Sequence, residues 1–184
     1  MNKRIIGAAG FVFCTALTLS IMLACADDKD SSSNSEKDSK VKESVSLPKA
    51  GEIVKTDKFE ITLTSVSVSG IVGDKYFGEK APEGAIFLIV NYKSKNITKE
   101  TISAYDLPKI ESISDPNGTT YSEAASATMY YKTSKGIDEK LISKLNPGIT
   151  EKNAVIFEVS SDLWKNKGWK ALVKADKEIE FELK

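Results

Sequence analysis

The sequence predicts an all-β fold: an antiparallel, immunoglobulin-like β-sandwich of about seven strands. Three observations carry this. Apolar and polar residues alternate with period 2 in several runs between residues 51 and 184. Turn signals separate those runs, most clearly Asp115-Pro116-Asn117-Gly118 and Asn146-Pro147-Gly148. No long segment sustains a helical period. A small barrel is the other architecture that such strands could build.

The elements follow in order. Phe59, Ile61 and Leu63 alternate with Glu60, Thr62 and Thr64, and the apolar phase then slips by one residue to resume at Val66 and Val68. A period that slips once predicts a β-bulge near Ser65. The loop from Ile71 to Gly84 contains Gly73, Gly78, Pro82 and Gly84. Long loops on a rigid scaffold are places where recognition residues collect. Ala85 to Tyr92 is nearly continuous apolar sequence, as expected of a central strand covered on both faces. The stretch from Ile110 to Ile113 turns at Asp115-Pro116-Asn117-Gly118 into Thr119-Thr120-Tyr121. Ser122 to Met129 and Ile137 to Leu145 are two short helical candidates. Ala154 to Val159 reads as a strand, and Trp169–Val173 with Ile179–Leu183 form a final pair that turns at Ala175-Asp176-Lys177.

Ahead of the sandwich stand two segments of different composition. Lys3 and Arg4 precede an apolar stretch from Ile5 to Ala24 that ends in Met22-Leu23-Ala24-Cys25. This is the layout of a secretory signal, and the cysteine after a small residue makes it resemble the lipobox of bacterial lipoproteins. The resemblance implies cleavage before Cys25, with Cys25 as the lipid attachment residue. Each buried methylene adds about 0.8 kcal/mol and stable anchoring takes about two acyl chains, so such a product stays on the membrane. An uncleaved transmembrane anchor is the other reading of the same stretch. Residues 26–50 contain seven serines and eleven charged side chains. They cannot bury enough surface to offset the entropy of ordering, and are read as a disordered tether spanning roughly 25–30 Å. The expected organisation is therefore a signal peptide at 1–24, a lipidated Cys25 with its tether to 50, and a sandwich domain at 51–184.

Composition removes several function classes. The chain has 184 residues with 26 basic and 26 acidic side chains, no histidine and two cysteines. That balance argues against nucleic-acid binding. Without histidine there is no Ser–His–Asp triad and no imidazole metal ligand. Cys14 lies in the signal and Cys25 takes the lipid, so the mature domain has no thiol. Arg4 is the only arginine, which leaves no guanidinium fork for planar anion recognition. Nucleophile elbows, phosphate loops and dinucleotide fingerprints are absent from the sequence.

The order of motifs carries a family resemblance. Gly51-Glu52-Ile53-Val54 leads into Phe59–Val66, followed by Ala85–Asn96, Asp115-Pro116-Asn117-Gly118, Leu145-Asn146-Pro147-Gly148, Ala154–Val159 and a closing Ile179–Leu183. This resembles the telokin-like, immunoglobulin-fold domain of bacterial lipoproteins, a family catalogued as a domain of unknown function (DUF4352). The resemblance covers about residues 50 to 184. It implies a sandwich and an envelope location, and it supplies no catalytic residues.

The expected function is that of a lipid-anchored cell-envelope lipoprotein whose non-catalytic domain serves protein–protein interaction. Its partners are the membrane, through the lipid, and an envelope or extracellular protein. No cofactor or metal is expected, and oligomeric state is not legible. Small-ligand or glycan binding by loop aromatics is the alternative. Tyr130, Tyr131 and Trp164 are the candidate contact residues, since aromatics in exposed connections stack on sugars or anchor partners. Tyr130 and Tyr131, read as strand neighbours, should face opposite sides. Trp169, which opens an apolar strand, is read as core.

Overall fold

Alternation in the sequence becomes two four-stranded antiparallel sheets packed face to face in the computed structural model, which describes residues 46–137 and 144–184. In chain order the strands are β1 (Val54–Lys55), β2 (Phe59–Ser69), β3 (Ile71–Gly73), β4 (Gly78–Lys80), β5 (Ala85–Asn96), β6 (Ile102–Ser103), β7 (Lys109–Ser114), β8 (Thr120–Tyr121), β9 (Lys144–Leu145), β10 (Thr150–Ser160), β11 (Lys170–Lys174) and β12 (Glu178–Glu182). One α-helix, α1 (Ala125–Lys135), is present among the described residues. The sheets are β1-β2-β5-β10 and β12-β11-β7-β8, with β3–β4 and β6–β9 as small separate pairs. The all-β sandwich read from the sequence is the observed class. The extra strands beyond the expected seven are mostly two or three residues long, too short to show an alternation. The proposed signal peptide, Cys25 and the tether up to residue 45 lie outside the described residues.

The inner faces of the two sheets supply one core. Phe59, Ile61, Leu63, Leu88, Val90, Tyr92, Val155, Phe157 and Val159 from the first sheet meet Ile110, Ile113, Trp169, Ala171, Val173 and Phe181 from the second. Each valine, leucine, isoleucine or phenylalanine among them contributes roughly 1.5–3 kcal/mol on burial. The slip in phase is a real bulge: Leu63 faces Tyr92 and Ser65 faces Asn91, leaving Thr64 as the extra residue. The bulge returns Val66 to the core side.

The unbroken apolar run of β5 has the predicted cause. Leu88, Val90 and Tyr92 point into the inner core, while Phe87 and Ile89 point outward into a second cluster with Val72, Ala81, Ala127 and Ile156. The outer cover is made by the β3–β4 hairpin and α1. Asn96, fully buried at the end of β5, joins the β5–β6 connection to the end of β9. Its amide donates to the carbonyls of Glu100 and Leu145 at 2.8 and 2.9 Å, and its Oδ1 accepts from the backbone and hydroxyl of Thr98.

Three expectations need correction. The helix spans Ala125–Lys135, later than the Ser122–Met129 candidate, and it carries Tyr130 and Tyr131, which are therefore not strand neighbours. It ends at Gly136, left-handed at φ 62°, with Ile137 N–H donating to Lys132 O at 3.0 Å. The second helical candidate lies partly outside the described residues, and its end, Lys144–Leu145, is strand β9 paired with β6. Finally, the expected tether runs to residue 50, yet Glu182 N–H donates to Pro48 O at 2.9 Å and Lys49 bridges Glu182. The chain passes from that edge through Gly51, at φ 93°, to β1 on the other sheet. Both edges gain backbone partners this way, which offsets the ordering entropy that composition alone left unopposed.

Candidate interaction surface

The β3–β4 hairpin owes its shape to three residues. Gly73 has φ 99°, and a Cβ there would collide with the Phe77 carbonyl; one at Gly78 would meet the Val72 carbonyl at 2.7 Å. Between them, Asp74 closes the turn. Its Oδ1 accepts the N–H groups of Tyr76 and Phe77, both at 2.8 Å, and its own N–H donates to Phe77 O at 2.8 Å. The backbone N–H of Phe77, then that of Tyr76, hold the Asp74 carboxyl below its ordinary range. At the base, Val72 is buried in the outer cluster, Ala81 N–H donates to Gly70 O at 2.9 Å, and Ser126 of α1 donates to the Glu79 carboxylate at 2.6 Å.

A well-bonded turn thus displays apolar side chains. Tyr76 is 80% exposed, Phe77 66% and Ile71 62%. Lys75 Nζ stands 5.6 Å from the Tyr76 ring centroid. Met129, on the helix that packs beside the hairpin, is exposed as well. Chemically this is a convex, pre-ordered aromatic tip with an ammonium beside it.

The sequence-predicted candidates lie elsewhere. Tyr131 packs against the outer cluster, and its hydroxyl donates to Asn91 Oδ1 at 3.4 Å. Tyr130 is half-buried on the same helix. Trp164, in a short 3-10 turn, packs against the inner core with its ring 5.3 Å from that of Trp169. Lys184 covers the Trp164 ring at 5.1 Å and donates to its carbonyl at 2.7 Å. Tyr131 and Trp164 therefore belong to different clusters, and the three aromatics are not brought into one patch. Trp169 is fully buried and its indole N–H donates to Leu163 O at 3.3 Å, as its reading as core requires. Among the described residues no three His, Cys, Asp or Glu side chains come together as a metal site.

Tyr76 and Phe77 are not among the sequence-predicted contact residues, because the glycines and proline of the loop mark it as a long connection without saying which side chains it displays. Gly-Asp-x-aromatic-aromatic-Gly is turn chemistry around an aromatic pair, and that pattern is the signal that could have found them.

The outer edge of β10 offers little to a pairing strand. Ile156 O accepts from Ala124 N–H at 2.8 Å, Ile156 N–H donates to Thr128 Oγ1 at 3.0 Å, and Ala154 N–H donates to Asn153 Oδ1 at 2.8 Å. Contact by strand addition is thus blocked along the middle of this edge.

Comparison with known proteins agrees with the fold. The family described as "Domain of unknown function (DUF4352)" matches residues 48–166. The chain is 36% identical over 121 residues to the Bacillus subtilis protein YxkC, over 65% of this chain and 67% of the relative. A crystal structure of a conserved hypothetical protein from Bacillus anthracis superposes with a TM-score of 0.64 at 22% identity, over 73% of this chain and 95% of that one. The YjhA protein of Bacillus subtilis gives 0.54 at 14% identity, over 75% of this chain and all of the other (100%). At these identities the two structures share the fold.

Proposed function

The chain belongs to the DUF4352 family, and from that premise we propose that it is a lipid-anchored envelope protein that contacts a protein partner through the β3–β4 hairpin tip, without catalysis. One observation carries the reading: Tyr76 and Phe77 stand exposed on a turn whose backbone is fixed by Asp74, Gly73 and Gly78. Exposed aromatics in a pre-ordered loop bind at low entropic cost. Covering both rings contributes about 3–5 kcal/mol, the scale of a small hot spot. The anchor rests on the lipobox-like sequence ending at Cys25.

Two measurements test it. Intact mass of the chain purified from its native membranes should show an N-terminus at Cys25 with added acyl mass, lost in Cys25→Ala; an unmodified chain that keeps residues 1–24 removes the lipid anchor. A Tyr76→Ser/Phe77→Ser double variant should lose its crosslinked partner on intact cells while keeping its melting temperature. Retention of the same crosslinked species removes the tip from the contact.

A further inference from the structure

The Phe59 end of β2 lies at a second, unrelated feature; the hairpin leaves from the opposite, Ser69 end. Three chain segments meet there around a concavity of about 310 Å³: Lys58 and Phe59, Tyr105 to Lys109, and Lys174 to Asp176. Its wall is apolar at Leu107 and Ala175, and Tyr105 stands beside it 89% exposed. Three lysines line it. Lys109 is shared with Glu111 at 3.3 Å, whereas Lys58 and Lys174 have no ion pair among the described residues.

The acidic side chains there are not equivalent. The Asp176 Oδ2 accepts the N–H groups of Asp57 and Lys58 at 3.0 and 3.3 Å. It is occupied in tying the backbone of the β1–β2 turn to the β11–β12 turn, which brings the chain at Lys58 near the end of β11 that carries Lys174. Asp106 lines the cavity and makes no such bond. It is an available acceptor for hydroxyl groups.

We infer that this cup binds an anionic sugar, a ring carrying a phosphate or a carboxylate. Each part of the ligand has a counterpart. The unpaired lysines meet the anion, Tyr105 with the apolar wall meets the C–H face of the ring, and Asp106 accepts from hydroxyls. A bare anion leaves Tyr105 and Asp106 unused, and a neutral sugar leaves two ammoniums unpaired. The volume, at the small end of ligand pockets, fits one sugar unit. Lysines act as point charges without a bidentate fork, so the affinity is modest.

The test is calorimetric titration of the full-length protein with glucose 6-phosphate, glucose and inorganic phosphate. Glucose 6-phosphate should saturate with a Kd of about 1 mM or below. Lys58→Gln/Lys174→Gln should weaken it about tenfold or more, and Tyr105→Ala should weaken it severalfold, with unchanged melting temperatures because all three side chains are exposed. Absence of saturable binding up to about 10 mM overturns the site. So does binding that survives the lysine changes, or glucose or phosphate alone binding as tightly as the sugar phosphate.

Discussion

Asp74 and Phe77 bond reciprocally: the Asp74 carboxylate accepts the Phe77 N–H, and the Asp74 N–H donates to the Phe77 carbonyl, both at 2.8 Å. This pair makes the hairpin tip a fixed display of aromatics. Gly73→Ala places a methyl group against that same carbonyl at a backbone φ of 99°. The strain is about 1–3 kcal/mol and falls on the hairpin. Hydrogen exchange at the Tyr76 and Phe77 amides should accelerate, while amides in the middle of β5 keep their protection. Equal acceleration in both places would mean that the tip is not a separate structural unit.

Asn96 stabilises by tying the β5–β6 connection to the end of β9 from a fully buried position, its bond to the Leu145 carbonyl being buried and those to Glu100 and Thr98 half-buried. Asn96→Ala removes the bonds to the buried Leu145 carbonyl and to the Thr98 N–H, while the Thr98 hydroxyl still donates to the Glu100 carbonyl at 3.0 Å. A loss of roughly 2–4 kcal/mol is expected, read as a lower urea midpoint at unchanged slope. A midpoint within error of wild type contradicts the assigned role.

Register gives an asymmetric prediction. Deleting Thr64, the extra residue of the bulge, leaves Leu63 and Val66 in alternation and keeps Phe59, Ile61 and Leu63 on the core side. Deleting Thr62 moves Phe59 and Ile61 to the other face. Circular dichroism melting should show a cooperative transition for the first deletion and none for the second. Two cooperative transitions would contradict the register.

The Asp115–Tyr121 pair sets limits at both ends of the pH scale. Burial works to raise the Asp115 carboxyl, but the N–H groups of Thr119 and Asn117, with the Tyr121 hydroxyl, outweigh it and hold it below its ordinary 3.8. A depressed carboxyl stabilises the fold above about pH 3.8, and that contribution is lost as pH falls below it. Burial, then the Asp115 charge, raises Tyr121 above 10.0. Its contribution is complete below pH 10 and is lost as pH climbs through the raised value. Asp115→Asn should flatten the melting temperature against pH on the acid side. An unchanged acid slope would remove Asp115 as its source.

Much of the sandwich was legible because its signals are local. The bulge appears as a slipped phase at Ser65, the hairpin as Asp115-Pro116-Asn117-Gly118, and the two-sided burial of β5 as the unbroken run from Ala85. The helix was harder to place. Its stretch is rich in serine, threonine and tyrosine, and only Ala127, Thr128 and Lys132 are buried. Gly136 after Lys132 and Lys135 was the available stop signal. The candidate surface was the least legible part. Tyr76 and Trp164 are both aromatics in connections, and whether such a ring is displayed or packed depends on distant residues, here Lys184 and Trp169 over Trp164.

The contact itself is tested most directly by a photo-crosslinking amino acid placed in turn at Tyr76, Phe77 and the exposed Lys152 on β10, in cells carrying the full-length protein. One defined protein adduct is expected from positions 76 and 77, absent from position 152 and abolished by Gly73→Ala. Adducts from position 152 alone, or adducts from 76 and 77 that persist with Gly73→Ala, would contradict a partner held by the ordered hairpin tip.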